Sequence, residues 1–437
     1  MTRTYYLQSF GCQMNEHDSE RMAGLLEVAG YRRVQDAEDA DVAVFNTCAI
    51  RENADNRLYG HLGKLKPVKQ KTGLKIAVGG CLAEKDRDGI RDRAPWVDVV
   101  FGTRNIDRLP ALLASVERAG VPVVELAEAF EMFPSALPAR RGSAFHAWVA
   151  IQYGCNNSCS FCIVPHVRGR EVSRPPAEVV EEVRRLVDDG ITEVSLLGQN
   201  VNSYGRDIAG RPIFSSLLYS LDEIPGLRRV RYTSPHPKDF KQDTARAMAE
   251  CASVCEHLHF PVQSGSDSCL RRMKRAYSRR TYLDKVAMAR ELIPGLAMTT
   301  DIIVGFPEET EDEFEDTMSL VEEVRFDSAY MFQYSPRPFT AAAEFAGQVP
   351  KGVVQRRFDR LVRAQERISL DKNRELLGVT VEATVELAAS KTDAERATGR
   401  TRTNKLIHVA ADGPEPGQMV RARVVDAHAH YLAGTTV

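Results

Sequence analysis

Short apolar runs alternate with longer amphipathic stretches through roughly the first 110 residues. The runs at 5–10, 42–46, 74–78 and 97–101 have the length of strands buried on both faces. Helical patterns follow them, at about 18–29, from Cys48 to about Lys66, and again after Cys81. This alternation predicts βαβ units around an open parallel sheet. Residues 116–144 contain Phe133-Pro134, Leu137-Pro138 and Arg140-Arg141-Gly142 and read as a linker. Strand and helix then alternate again, with strands expected at 147–153, 193–197, 229–233, 257–261, 298–304 and 328–334 and helices at 177–187, 280–292 and 311–324. Six such units are too few for an eight-stranded closed barrel. They predict a partial (β/α)6 barrel whose gap admits a large substrate. A basic amphipathic helix spans 356–363. From 377 onward short alternating runs at 379–386, 406–409 and 419–425, with turns at Gly413-Pro414 and Pro416-Gly417, predict a small antiparallel β-barrel. The expected fold class is therefore α/β with a β-barrel appended, in domains 1–115, 145–376 and 377–437.

Cysteine placement adds chemistry to this outline. Cys12, Cys48 and Cys81 each lie between a strand and its helix, although 36 and 33 residues separate them. In an open α/β sheet those positions share one carboxyl edge, where ligands bind. Neighbouring strands lie about 4.8 Å apart, so the three thiols can converge. Buried structural thiols are the plainer alternative, but placement at the same point of three successive units favours a ligand set. Glycine beside Cys12 and beside Cys81 suggests close approach of the backbone to a bulky ligand. A second set, Cys155, Cys159 and Cys162, forms a CxxxCxxC run just after an expected strand. Three thiolates in one loop can hold three corners of a [4Fe–4S] cluster and leave one iron open. Zinc sites usually show paired CxxC or Cys/His spacing, and here only His166, after Pro165, stands nearby. Cys251, Cys255 and Cys269 have no third partner at a convincing spacing and read as structural thiols; Cys251 and Cys255 could share a helix face.

Composition narrows the setting. The 437 residues are 43% hydrophobic and 27% charged, with a net charge of −2. That is the balance of an ordinary globular protein, so a nucleic-acid partner requires a local basic patch. No apolar stretch approaches the roughly 20 residues of a membrane span, and the first residues do not resemble a signal peptide. An odd count of nine cysteines in a chain of this size points to ligands and free thiols in a reducing compartment. A cytoplasmic protein without membrane association is expected.

The CxxxCxxC run resembles that of the radical S-adenosylmethionine (SAM) superfamily. With both cysteine sets in view, the chain resembles the radical SAM methylthiotransferase family over essentially its full length. The resemblance rests on Gly11-Cys12-Gln13-Met14-Asn15, on Asn46-Thr47-Cys48-Ala49-Ile50-Arg51-Glu52-Asn53-Ala54, on the stretch from Tyr153 through Arg174, and on Leu197-Gly198-Gln199-Asn200-Val201-Asn202-Ser203-Tyr204. Glu308 and Phe339 stand where the family often has glycine. The resemblance implies two [4Fe–4S] clusters and SAM as cofactors. Cys155, Cys159 and Cys162 would hold the cluster that cleaves SAM to a 5′-deoxyadenosyl radical. Cys12, Cys48 and Cys81 would hold an auxiliary cluster that delivers sulfur. The implied product is a methylthio group on carbon 2 of a dimethylallyl-modified adenosine beside the anticodon of a tRNA. An electron donor of flavodoxin or ferredoxin type and a sulfur donor system are implied partners, and the C-terminal barrel would be an RNA-binding TRAM domain. The branch of the family that modifies a ribosomal protein aspartate usually has Pro-Lys after the first cysteine, and the threonylcarbamoyl-adenosine branch Lys-Val; this chain has Gln13-Met14. A non-catalytic iron–sulfur RNA-binding redox sensor would need only one cluster and no open iron.

Expected SAM contacts lie at strand ends. The stretch with Gln199 and Asn200 resembles the site where such enzymes grip the methionine amine, Ser234 could reach the ribose or carboxylate, and Asp301 lies on the fifth strand. Each of these residue types also serves as a cap or turn former. For RNA, Arg396, Arg400, Arg402 and Lys405 form a patch with no acid after Glu395, and Arg421 and Arg423 alternate onto one strand face. Against this stands an equal number of acids and bases, seven of each, between Gly378 and Val437. Arg168 and Arg170 could pair with SAM or a phosphate, or stabilise the cluster loop.

Overall fold

The protein is described by a computed structural model covering all residues except Met1, Ile50, Arg51, 128–132, 390–395 and 411–413, and except the side chains of 52–55 and Ala410. Ile50 to Ala54 of the second cysteine motif, Glu395, and Gly413 of the expected turn thus fall wholly or partly outside the described residues. The chain divides into two compact units.

The first unit holds residues 1–142 with 148–157 and 163–172. Its parallel sheet has six strands, in the order Arg32–Arg33, Thr4–Phe10, Val42–Thr47, Lys75–Gly80, Val99–Phe101, Val123–Glu125. The apolar runs are continuous because both faces are covered. Val42 and Val44 join a core with Met22, Leu26, Leu112 and Leu113 on one side. Ala43 and Phe45 join another with Leu58, Leu62 and Leu65 on the opposite side. The linker expected from residue 116 is a misreading in part. Helix Leu109–Ala119 ends at left-handed Gly120, Val123–Glu125 pairs with Val99–Phe101, and Leu137 joins the core. A three-residue, half-buried edge strand is too short to show periodicity.

The second unit holds residues 143–147, 158–162 and 173–437. The expected strands do not form one unbroken sheet: within this unit Glu193–Leu197 pairs with Arg229–Tyr232, and His257–His259, Ala297–Val304 and Ser328–Gln333 form a set of three. The later set is parallel throughout. The helices between strands obey simple end rules. Glu311–Val324 begins with a capping box, Thr310 Oγ1 accepting from the Glu313 N–H at 3.2 Å and Glu313 Oε2 from the Thr310 N–H at 3.1 Å. The helix proposed to carry both Cys251 and Cys255 ends at Glu250; Cys251 is already extended.

The C-terminal barrel clusters with this unit. It closes in the order Thr380–Leu387, Arg396–Thr401, Leu406–Ala410, Leu432–Thr436, Met419–Ala427 around Ala383, Val385, Ala397, Ile407, Val409 and Val424. It is mixed, not wholly antiparallel: Ile407–Val409 runs parallel to Leu432–Gly434. A barrel of five strands cannot alternate direction all the way round, so one pair must be parallel.

Glu308 and Phe339 both have left-handed backbones, with φ of 64° and 68°. That conformation costs a residue with a Cβ about 1–2 kcal/mol, which explains why glycine suits both places. Glu308→Gly should raise the unfolding free energy by less than about 1 kcal/mol, because the greater freedom of unfolded glycine offsets part of the gain. Glu308→Val should lower it. Denaturant midpoints of the two variants test this; equal shifts of one sign would refute it.

Candidate iron–sulfur, SAM and RNA sites

The strand register sets where the first three cysteines stand. Phe10, Thr47 and Gly80 are aligned at the ends of neighbouring strands. Cys48 and Cys81 are the next residues, and Cys12 follows Phe10 by two. Cys48 and Cys81 are buried and Cys12 half-buried. A net of buried amides ties the loops together: Asn15 Nδ2 donates to Asn46 Oδ1 at 3.1 Å and Thr47 O at 3.2 Å, and Asn46 Nδ2 donates to Asn15 O at 2.8 Å. The adjacent glycines make room for the chain itself. A Cβ on Gly11 would lie 2.6 Å from Asn15 Oδ1, and one on Gly80 (φ +93°) would lie 2.5 Å from Thr47 O.

Burial pushes the Cys81 thiol up to about 12, Arg168 opposing and Cys48 and Cys12 adding to it. Thiols that raise one another become thiolates together only against positive charge. Three soft donors on one sheet edge fit an iron–sulfur cluster. Among the described residues, no three His, Cys, Asp or Glu side chains close on one point as around a single metal ion. Beside the thiols, Arg168 Nη2 donates to Asp18 Oδ2 at 3.0 Å, both groups buried. Burial alone would raise the Asp18 carboxyl, yet Arg168 and His17 hold it below the usual range. Arg168 is thus engaged by Asp18 of helix Gln13–Val28.

The CxxxCxxC loop is anchored separately in each unit. In the first, the Cys155 N–H donates to Gly169 O at 3.1 Å and the Glu171 N–H to Asn156 Oδ1 at 3.1 Å. In the second, the Cys162 N–H donates to Cys159 O at 3.1 Å, the Ser160 N–H to Met273 O at 3.0 Å and Ser160 Oγ to Arg272 O at 2.8 Å. Arg272 is itself held by Glu313, Nη2 to Oε2 at 2.6 Å. Arg275, absent from the sequence-based site, donates to Cys159 Sγ at 3.4 Å. Its partner lies 116 positions away, and locally it is one base in the run Arg271 to Arg280, which is why the sequence hides it.

The expected SAM contacts differ in setting. Gln199 Oε1, Asn200 Oδ1 and both amide atoms of Asn202 are buried without a hydrogen-bond partner among the described residues. Each such orphan costs about 1–3 kcal/mol, so unpaired acceptors here fit a polar ligand such as the amine of SAM. Asn200 is oriented by Nδ2 donating to Asp239 Oδ2 at 2.7 Å, and Arg206 holds the other oxygen of Asp239 at 2.7 Å. Ser234 follows strand Arg229–Tyr232 with φ of 58°, a rare backbone for serine. Asp301 lies within its strand, beside His259 Nε2 at 3.4 Å. Cys251, Cys255 and Cys269 are buried.

Of the six basic residues expected at RNA, Arg402, Lys405 and Arg400 have acidic partners within the protein. Arg402 grips Glu256, Nε to Oε2 and Nη2 to Oε1 both at 2.8 Å. Lys405 Nζ lies 2.7 Å from Asp327 Oδ1. Arg400 Nε lies 2.7 Å from Glu386 Oε1. Arg396, Arg421 and Arg423 are exposed. Beneath them Arg229 donates to Arg400 O at 2.9 Å, and Arg231 to Arg402 O at 3.0 Å and Thr401 O at 2.8 Å. No helix among the described residues is long and apolar enough to cross a membrane.

Comparison with known proteins follows the same outline. Residues 4–102 match the profile described as "Uncharacterized protein family UPF0004", and residues 149–321 match that of the Radical SAM superfamily. The latter implies SAM and one [4Fe–4S] cluster. Curated relatives named tRNA-2-methylthio-N(6)-dimethylallyladenosine synthase include one from Saccharopolyspora erythraea, 54% identical over 99% of this chain and 90% of its own length. Another, from Acidothermus cellulolyticus, is 55% identical over 100% and 88%. Among solved structures, the radical SAM methyltransferase TsrM from Kitasatospora setae superposes with a TM-score of 0.57 at 15% identity, covering 78% of this chain and 74% of that one. At that identity it bears on the fold alone.

Proposed function

Because the chain belongs to the family of tRNA-2-methylthio-N(6)-dimethylallyladenosine synthases, we propose that it places a methylthio group on carbon 2 of dimethylallyl-modified adenosine beside the anticodon of tRNA, in the cytoplasm. The observation that carries this reading is the presence in one chain of two three-thiol sets, one on a sheet edge and one in a short loop. Cys155, Cys159 and Cys162 hold the cluster that serves SAM, and Cys12, Cys48 and Cys81 hold a second cluster. When bound, these groups supply the electron, the hydrogen abstraction and the sulfur, which no side chain provides for an aromatic C–H. The chain supplies position: the orphaned acceptors of Gln199 and Asn200 take the amine of SAM, Ser234 offers its hydroxyl to the ribose or carboxylate, and Asp301 accepts from a sugar hydroxyl. Arg421 and Arg423, with Arg396, face tRNA phosphates. An electron donor of flavodoxin or ferredoxin type and a sulfur donor complete the cycle.

The test is anaerobic. Reconstituted protein, SAM and reductant are incubated with tRNA that carries dimethylallyl-adenosine, and the digested nucleosides are weighed. A mass gain equal to one methylthio group less one hydrogen is expected. No gain while 5′-deoxyadenosine accumulates would sink the substrate assignment and leave the radical chemistry.

A further inference from the structure

A buried guanidinium with no carboxylate partner needs a counter-charge. Arg275 is 9% exposed. Its three donor nitrogens are all engaged: Nε to Tyr277 Oη at 2.9 Å, Nη2 to Pro261 O at 3.0 Å and Nη1 to Cys159 Sγ at 3.4 Å. Tyr277 is fixed in turn, donating to the Pro261 and Val262 carbonyls at 3.1 and 2.9 Å. Two of the three contacts are neutral and orient the rigid fork; the third is the sulfur of a cluster cysteine. The contrast with the other cluster region is direct, since there the buried Arg168 is balanced by Asp18 at 3.0 Å.

We propose that Arg275 is a positioning residue that sets the reduction potential of the SAM cluster, its guanidinium donating to Cys159 Sγ and paired with no carboxylate among the described residues, so that its charge acts on the cluster. This rests on Cys159 being a cluster ligand. One-electron reduction adds one negative charge to the cluster and breaks no bond. A fixed positive charge and an N–H donor on a ligand sulfur stabilise the reduced form more than the oxidised one, and so raise the potential. Tyr277 holds the donor in line.

The experiment is a potentiometric titration of reconstituted full-length protein with dithionite and mediators, following the reduced cluster by electron paramagnetic resonance with and without SAM. The SAM-sensitive signal identifies the cluster. Arg275→Met should lower the reduced-to-oxidised ratio at fixed potential at least tenfold, equivalent to 59 mV for one electron. Arg275→Lys should shift it less, since the charge remains, and Tyr277→Phe, which keeps the ring packing, should shift it in the same direction as Arg275→Met. A SAM-sensitive signal with unchanged midpoint in Arg275→Met and Tyr277→Phe, at wild-type iron content, would overturn the inference while leaving the cluster assignment intact. Absence of any SAM-sensitive signal in the wild type would overturn the assignment and the inference together.

Discussion

Cys159→Ala should produce no 5′-deoxyadenosine above background, whereas Cys48→Ala should still cleave SAM and transfer no methylthio group. The expectation comes from where the two thiols stand. Cys159 lies in a loop with only two companion cysteines, so its loss leaves too few ligands to hold a cluster. Its effect should exceed the roughly 10–100-fold that changing an outer-shell partner costs. Cys48 sits at the end of strand Val42–Thr47 in the first unit, on a different element from the CxxxCxxC loop. Product analysis of SAM and of tRNA separates the two outcomes. If both variants lost SAM cleavage while keeping half their iron, the division of labour between the clusters would be wrong.

Arg231→Met should destabilise the second unit by about 3–5 kcal/mol, the usual cost of stranding one member of a buried ion pair. Arg231 Nε lies 2.7 Å from Glu193 Oε1, both side chains 9% exposed, and its other two nitrogens hold the Arg402 and Thr401 carbonyls. Burial alone would raise the Glu193 carboxyl, but Arg231, helped by His146 and Arg229, holds it below the usual range. A depressed carboxyl contributes stability above its unfolded pKa and loses it as pH falls through the folded one. In the variant burial wins, Glu193 is raised, and its penalty is relieved by acid. The gap between wild type and variant should therefore narrow as the pH drops. Denaturant unfolding at neutral pH and near pH 4 measures both. Adding Glu193→Gln to the variant should recover part of the loss; no recovery would mean that the carbonyl contacts, not the ion pair, carry the effect.

What the sequence reveals and what it hides follow the range of the interactions. The N-terminal strands are legible because both faces of the sheet are covered, which makes each run continuously apolar. The cysteine sets are legible because their spacing and their place after strands are local. Strand Arg396–Thr401 escapes notice because the residues it buries, Ala397, Thr398, Gly399 and Thr401, are small or polar, so its inward face carries no hydrophobic signal. Arg402 and Lys405 look like part of an RNA patch because the sequence shows their charge but not their partners, Glu256 and Asp327, 146 and 78 positions away. Arg275 is hidden in the same way. Charge is a local property of sequence, and its neutralisation is not.

The arginines under the C-terminal barrel address main-chain oxygens at Arg400, Thr401 and Arg402. Every residue type carries that oxygen. Apart from the contact of Arg229 with the Glu382 carboxylate at 2.9 Å, these two arginines therefore read the path of the barrel's backbone. Exposed positions such as Arg421 and Arg423 can be rewritten while the barrel stays seated where it is.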